Sequence, residues 1–195
     1  AAGERSAAAE AAGRLAGPFD AVVLTMPAPQ AQALLAGPAP HLAAVLDNVR
    51  MAPCWTLMAA FAERLPLPDT LRLPPGSPIG WAARDSSTPG REAAQECWVV
   101  QAASAWSQDH LEKPAPAAGA ALLEAFAALA GGALPPPLLA VAHRWRYALV
   151  ETPLGAPCLW DPATGLGAAG DWCIEARAEA AAESGAALAT AIATR

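Results

Sequence analysis

The stretch Phe19-Asp20-Ala21-Val22-Val23-Leu24-Thr25-Met26 determines how the rest of this chain must be arranged. Its apolar and β-branched residues, ended by Pro27 and Pro29, predict a strand that is buried on both faces. Such a strand needs neighbouring strands and covering helices, but residues 1–18 contain Leu15 as their only large apolar side chain. Either the strand pairs with a segment late in the chain, or its partners precede residue 1. We favour the second alternative.

The residues that follow predict alternating helices and strands. Hydrophobic periodicity and turn residues indicate helices at 28–35, 41–49, 117–129 and 174–192, and strands at 54–61, 78–84, 96–102 and 138–150. Ser104 is the predicted N-cap of a further helical turn. Residues 53–103 therefore form an antiparallel patch between two ends of α/β character, so the predicted fold class is α/β with an α+β domain.

Composition excludes several classes of protein. The 195 residues carry a net charge of −6 without a basic run, which argues against a nucleic-acid partner. No run of 18 apolar residues is free of Pro, Gly or charge, so no membrane span is predicted. Seven Trp argue against disorder. Four Cys without CxxC spacing predict reduced thiols in a cytoplasmic protein, and three distant His predict no metal site. The excess of Arg over Lys is typical of GC-rich bacterial genomes.

The segment Gly165-Leu166-Gly167-Ala168-Ala169-Gly170 fits the GxGxxG pattern. A dinucleotide fingerprint needs a buried strand before the glycines, with a helix and a second strand after them. Residues 159–164 are turn-like, and the 25 residues after Gly170 suffice for one helix. We therefore interpret the segment as a small-residue strand that lets a ligand approach the backbone. Asp171 at its end either accepts a hydrogen bond from a ribityl or ribose hydroxyl, or caps the following helix.

The same region carries a resemblance to a known family. Gly170-Asp171-Trp172-Cys173, followed by Arg177-Ala178-Glu179-Ala180 and Ser184-Gly185, resembles the closing flavin motif of renalase-like FAD-dependent oxidoreductases, which are relatives of the monoamine oxidases. Residues 19–35, 53–61, 81–91 and 143–148 agree as well, so the resemblance covers nearly the whole chain from residue 19. The family's N-terminal GxGxxG unit is absent, and Ala178 and Ala180 stand where the family has Val and Gly.

The resemblance implies a partial FAD-binding, Rossmann-like fold that lacks its N-terminal βαβ unit. Residues 1–52 and 151–195 would form this part, and residues 53–150 would form a substrate domain with an antiparallel sheet. Enzymes of the family oxidise dihydronicotinamide isomers of NAD(P)H and pass the electrons from FAD to O₂. We therefore expect an incomplete oxidoreductase chain that binds FAD poorly on its own. The alternatives are a flavin amine oxidase acting on an amine and a non-catalytic module, and the oligomeric state stays open.

The expected cofactor residues lie in the glycine-rich segment 165–170 and in the closing motif that follows it. They are Gly165, Gly167, Gly170, Asp171, Trp172, Cys173 and Glu179. On the residues alone, Cys54 and Cys173 are predicted to be inert packing groups, because no Lys or His stands near them in sequence. Trp55, Trp98 and Trp106 are predicted core residues.

The expected substrate residues lie mainly on strand 138–150. Alternation places His143, Trp145 and Tyr147 on one face, where they either stack on a flat nicotinamide or pack in a core. Arg144 and Arg146, on the other face, either bind a phosphate or face solvent.

Trp81 and Arg84 complete the predicted substrate site, although Arg84 could instead pair with Asp85. No catalytic residue is assigned: His143 could act as a general base, but hydride transfer from a dihydropyridine to a flavin needs none.

Overall fold

A computed structural model describes residues 9–11, 14–91 and 95–194 of the chain. The chain divides into two compact units, residues 1–51 with 150–195 and residues 52–149. The strands are β1 (Ala9–Ala11), β2 (Arg14–Ala16), β3 (Val22–Leu24), β4 (Arg50–Phe61), β5 (Thr70–Arg72), β6 (Ile79–Arg84), β7 (Glu96–Ala102), β8 (Leu139–Thr152), β9 (Leu159–Asp161) and β10 (Leu166–Ala168). The α-helices are α1 (Ala28–Leu35), α2 (Pro40–Val45), α3 (Ser104–Asp109), α4 (Ala115–Leu129) and α5 (Ala178–Ala193).

The first unit contains a mixed three-stranded sheet in the order β3-β10-β9, and β1 pairs separately with β2. β3 runs parallel to β10, and β9 runs antiparallel to it. Apolar side chains of α1, α2 and the 3₁₀ turn that follows α2, among them Leu35, Leu42 and Leu46, pack with Trp172 and Ala168 in one core. The mixed sheet is thus covered by helices, as an α/β fold requires.

The prediction of a long strand buried on both faces at residues 19–26 is wrong. β3 contains three residues and Val23 is 42% exposed. In the sheet as described, β10 is the only strand paired with β3, so the other edge of β3 forms no backbone hydrogen bonds to a neighbouring strand there. The pairing with β10 is nevertheless the first of the two alternatives, a partner from late in the chain.

Two further predictions in this unit are corrected. Residues 159–161, expected as a turn, form β9, because pairing with β10 makes up for a short sequence signal. The last helix begins at Ala178 and not at residue 174. Asp171–Cys173 form a 3₁₀ turn, and Arg177 before α5 has an extended backbone (φ −152°, ψ 152°) that a helix cannot include.

The second unit contains a five-stranded sheet in the order β5-β6-β7-β4-β8. β5 with β6, β6 with β7, and β4 with β7 pair antiparallel, which confirms the predicted antiparallel sheet. One face packs against α4, where Leu122 and Phe126 join Trp98, Val100 and Leu57 in a second core. β5 was not predicted, because its three residues lie in a proline-rich segment and gain order from pairing with β6.

The start of α3 also differs from the prediction. Ser104 is the first residue of the helix, Ala103 stands at the N-cap, and no side chain caps the first turn. No helix in the described part of the chain is long and apolar enough to cross a membrane.

Candidate substrate-binding face

The sheet face opposite α4 carries an apolar surface that we call the open face. Strand alternation places Trp81, Ala83, Val99, Gln101, Thr56, Met58, Val141, His143 and Trp145 on it. Trp81 of β6 is paired with Gln101 of β7, which in turn is paired with Thr56 of β4. Ala83, Val99 and Met58 form the next row. The face therefore combines segments that are far apart in sequence.

Two grooves lie on this face. One has a volume of about 600 Å³ and is lined by Met58, Val99, Val141, His143 and Trp145 among others. The other has about 400 Å³ and includes Cys54, Tyr147 and Leu149 in its lining. Gln101 and Trp145 line both grooves, so they stand between them.

Trp145 is the most exposed aromatic side chain of the open face. Trp145 is 56% exposed, and its apolar neighbours on this face, Val141 and Met58, are 46% and 38% exposed. His143 lies edge-on to the indole with a ring centroid distance of 4.5 Å. A cluster of large apolar side chains exposed to solvent typically marks a binding surface, because a soluble protein otherwise buries most such side chains in its core.

Four of the five predicted substrate residues lie on or beside this face. His143, Trp145 and Tyr147 line the grooves, and Trp81 is the cross-strand partner of Gln101. Gln101 was not among the residues predicted from the sequence. Its signal was the one side-chain amide of β7, which follows the apolar residues Trp98, Val99 and Val100.

Arg84, the fifth residue, is placed on the opposite face and is buried. Its Nε donates to both carboxylate oxygens of Glu96, at 2.8 and 3.1 Å, and Nη1 binds Asp69. Nη2 donates to the backbone carbonyls of Leu65 (2.9 Å) and Leu67 (2.8 Å). The guanidinium is therefore occupied by protein groups, which argues against the substrate contact expected of Arg84.

The structural alternative for Arg84 is also corrected. Asp85 pairs with Arg91 at 2.9 Å instead. Glu96 replaces Asp85 as the partner because it lies on the neighbouring strand β7, on the same face as Arg84.

Arg144 and Arg146 share one carboxylate. Nη1 of Arg144 and Nη1 of Arg146 each lie 2.8 Å from an oxygen of Glu112. Hydrogen bonds from Arg146 and Arg144 lower the pKa of Glu112 to about 2, so it is ionised at neutral pH. The predicted alternation along β8 is present, and the arginines are ion-paired and not simply solvated.

The glycines expected to admit a ligand are close to protein atoms. A Cβ at Gly167 would lie 2.9 Å from Leu188 Cδ1 and from Trp160 Cε3. A Cβ at Gly170 would lie 2.7 Å from Cδ1 of Trp172. Gly165 has φ +71° in the turn before β10, a conformation that favours glycine. Internal packing and turn geometry therefore explain these three glycines without a ligand.

The rest of the closing motif is partly engaged. Oδ1 of Asp171 accepts a hydrogen bond from Trp172 N at 2.9 Å, which is a local turn contact. The buried Trp172 donates from Nε1 to Met26 O at 3.2 Å. Burial raises the pKa of the Cys173 thiol, so this residue is a protonated packing group as predicted from the sequence.

Glu179 is exposed in the first turn of α5. Glu179 and the half-buried Asp171 thus offer carboxylate oxygens as hydrogen-bond acceptors for the hydroxyls of a flavin cofactor, whereas the three glycines are explained by packing and turn geometry.

Comparison with known proteins supports the fold. No protein-family model matches the sequence. The crystal structure of a "putative protoporphyrinogen oxidase" from Exiguobacterium sp. 255-15 is similar, with a TM-score of 0.69 and 17% sequence identity. The match covers 96% of this chain and 46% of that one. This chain has the fold of part of that oxidase. It spans about half the length of the matched protein, and at this identity the likeness concerns the fold alone.

Proposed function

We propose that this chain is the substrate-binding part, with some of the flavin-binding part, of an FAD-dependent oxidoreductase that oxidises dihydronicotinamides. The observation that carries the proposal is the exposed Trp145 with His143 edge-on beside it, between two grooves of the open face. The resemblance of residues 170–185 to a flavin motif and the similarity in fold to an oxidase support it.

The open face suits a flat, uncharged ring. An indole offers a large face on which a dihydropyridine can stack, and Met58 and Val141 supply further apolar contact. Gln101 has both an amide donor and an amide carbonyl, the complement of a carboxamide on such a ring. The described residues place no other side chain in hydrogen-bond contact with this amide, so it is available to a ligand.

The chemistry asks little of the protein beyond orientation. Bound FAD would supply an acceptor for the hydride of the dihydropyridine and a route by which two electrons and two protons reach O₂ to give H₂O₂. Trp145 and His143 would hold the ring and exclude water from it. Asp171 would accept a hydrogen bond from a ribityl or ribose hydroxyl of the cofactor, and Glu179 offers a second carboxylate.

The decisive experiment uses FAD-loaded protein and follows flavin bleaching under α-NADH, β-NADH and benzylamine. We expect bleaching by a dinucleotide, with Trp145→Ala lowering kcat/KM about tenfold or more through the lost ring contact. Leu139→Ala is the matched control, because Leu139 is 52% exposed on the same strand but lines neither groove. Bleaching by benzylamine alone would identify an amine oxidase, and no bleaching by any substrate would favour a non-catalytic module.

The cofactor contact is tested by a FAD titration of Asp171→Ala and Asp171→Asn. A lost charge-assisted hydrogen bond weakens FAD affinity about 10- to 150-fold. Asn keeps the acceptor for Trp172 N, so Asp171→Asn should retain the turn while lowering FAD affinity less. If Asp171 serves only the turn, Asp171→Ala costs about 1 kcal/mol of stability and leaves FAD affinity unchanged.

A further inference from the structure

A cluster of basic side chains lies at the edge of the five-stranded sheet, on the face opposite the grooves. Arg144 and Arg146 belong to β8, which is an edge strand of the sheet as described. Both hold Glu112, Arg146 through two hydrogen bonds of 2.8 and 3.2 Å and Arg144 through one of 2.8 Å. Arg144 also donates to the carbonyl of Leu111, which fixes its guanidinium against the segment that carries Glu112.

A groove of about 460 Å³ opens beside this cluster, lined by Lys113, Arg144, Glu112, His143 and Trp55 among others. The cluster combines three cationic side chains, Arg144, Arg146 and Lys113, with one carboxylate. It is therefore locally positive in a chain whose net charge is −6. Such a local reversal of charge is a feature of sites that attract anions.

Glu112 occupies the place that an anion would take. The two guanidinium groups present their N–H donors to its oxygens in the geometry in which arginines bind carboxylate or phosphate. Glu112 is the most exposed member, with 70% of its side chain accessible against 31% for Arg144 and 37% for Arg146. Ion pairs with so much exposure contribute little to stability, so the carboxylate is displaced at small cost.

The basic groove adjoins the open face. Ala142 and His143 line both this groove and the groove of about 600 Å³ that contains Trp145. A flat ring on the open face and an anionic group at the arginines would therefore lie on either side of the same two residues of β8. A nicotinamide dinucleotide carries both groups in one molecule.

We propose that Arg144, Arg146 and Lys113 form a binding site for the pyrophosphate of a dinucleotide whose ring lies on the open face, with Glu112 holding the arginines until the anion displaces it. The dinucleotide assignment rests on the proposed function, whereas the anion site stands on the cluster alone. The arginines would then select dinucleotides over the bare ring.

The test is calorimetric titration of the 195-residue chain with inorganic pyrophosphate, inorganic phosphate, NAD⁺ and nicotinamide at low salt. We expect pyrophosphate and NAD⁺ to bind more tightly than phosphate and nicotinamide. Arg146→Gln should weaken the binding of pyrophosphate and of NAD⁺ about tenfold, because two charge-assisted hydrogen bonds are lost. Glu112→Gln should strengthen both about threefold, because the competing charge is removed.

Matched controls separate a local site from general electrostatics. Arg91→Gln removes an exposed arginine that is ion-paired with Asp85, and Glu124→Gln removes an exposed charge from α4. Neither should change pyrophosphate affinity. The anion site is overturned if pyrophosphate does not bind, or if Arg91→Gln weakens binding as much as Arg146→Gln.

The dinucleotide assignment is overturned if phosphate and pyrophosphate bind with equal affinity, or if Arg146→Gln leaves the affinity for NAD⁺ unchanged. These titrations need no turnover, so a failure to oxidise dihydronicotinamide would contradict the proposed function and leave the anion site intact.

Discussion

Arg84 and Glu96 form a buried ion pair whose partners are all supplied by the protein. The side chains are 1% and 5% exposed. Leu65 N and Trp98 Nε1 also donate to Glu96, at 3.1 and 2.8 Å. Because Arg84 binds the carbonyls of Leu65 and Leu67, the pair connects the segment after β4 to strands β6 and β7.

Replacing Arg84 with Met should lower the free energy of unfolding by about 3–5 kcal/mol. The substitution leaves the buried Glu96 carboxylate without its countercharge, although Leu65 N and Trp98 Nε1 still donate to it, and it removes the Arg84 donor from the carbonyls of Leu65 and Leu67. This is costlier than the loss of an exposed pair. Chemical denaturation followed by circular dichroism measures the change. Arg64→Met is the control, because Arg64 pairs with the same Asp69 at 3.0 Å but is 68% exposed. An equal loss of stability in both variants would contradict the role assigned to burial.

The glycines of residues 165–170 show the limit of reading single residues from sequence. The sequence indicates correctly that side chains are excluded at Gly167 and Gly170. It does not indicate which atoms exclude them, because Leu188, Trp160 and the indole of Trp172 approach these positions through the fold. The same spacing of glycines is therefore expected whether the space beside them is filled by a ligand or by a tryptophan side chain of the protein.

At the scale of elements, α3 is attached to β4 by a serine inside the helix. Ser107 is fully buried, and its Oγ accepts a hydrogen bond from Trp55 N at 3.0 Å. Trp55 Nε1 donates to His110 O at 3.0 Å, just after the helix ends. These two contacts fix the helix against the strand, whereas Ser104 makes no capping contact.

Ser107→Ala should therefore destabilise the protein by about 1–3 kcal/mol, because the buried Trp55 N–H loses its acceptor. Ser104→Ala should stay within about 0.5 kcal/mol of the parent, although the sequence favoured Ser104 as the cap. Thermal denaturation of the two variants measures both values. A larger effect at Ser104 than at Ser107 would restore the capping prediction and contradict the observed contacts.

Elements with a strong local signal could be predicted from the sequence. Residues 28–35 and 96–102 have the predicted bounds, because proline turns and apolar periodicity delimit them locally. β5 and β9 could not be predicted, since three residues become a strand only when a partner strand supplies the hydrogen bonds. The strand at β3 was predicted to be longer and more buried than it is, because the sequence does not show which strands lie beside it.

At the scale of the molecule, the open face and the basic cluster depend on contacts between distant segments. Alternation along one strand sufficed to pair His143 with Trp145 and to set Arg144 apart from them. Met58 and Gln101 belong to other strands, and the sheet order brings them near β8, whereas Glu112 comes from the segment between α3 and α4 and reaches β8 through its contacts with Arg144 and Arg146. A prediction from sequence could therefore name one strand of the candidate site but not the surface around it.

Acid stability depends on several carboxylates at once. Burial raises the pKa of Glu96, but hydrogen bonds from Arg84, Trp98 and Leu65 outweigh it and leave the pKa below its ordinary value of 4.5. Hydrogen bonds from Arg146 and Arg144 lower the pKa of Glu112 to about 2, but this exposed carboxylate contributes less to stability than the buried Glu96. The Thr164 hydroxyl and Ala163 N lower the pKa of Asp161, which also lies 3.3 Å from His41. In each case the folded protein favours the ionised form.

A carboxyl whose pKa is lower in the folded than in the unfolded chain stabilises the fold above the unfolded pKa and loses this contribution as the pH falls through the folded pKa. The free energy of unfolding should therefore change little between pH 7 and about 5 through these groups, and fall from about pH 4.5 towards pH 2. Glu96→Gln should be less stable at pH 7 and show a shallower decline in acid, because Gln has no proton to gain. Denaturant titrations at successive pH values, with Glu124→Gln as the exposed control, measure both slopes. An acid decline as steep in Glu96→Gln as in the parent would show that the Arg84–Glu96 pair does not contribute to it.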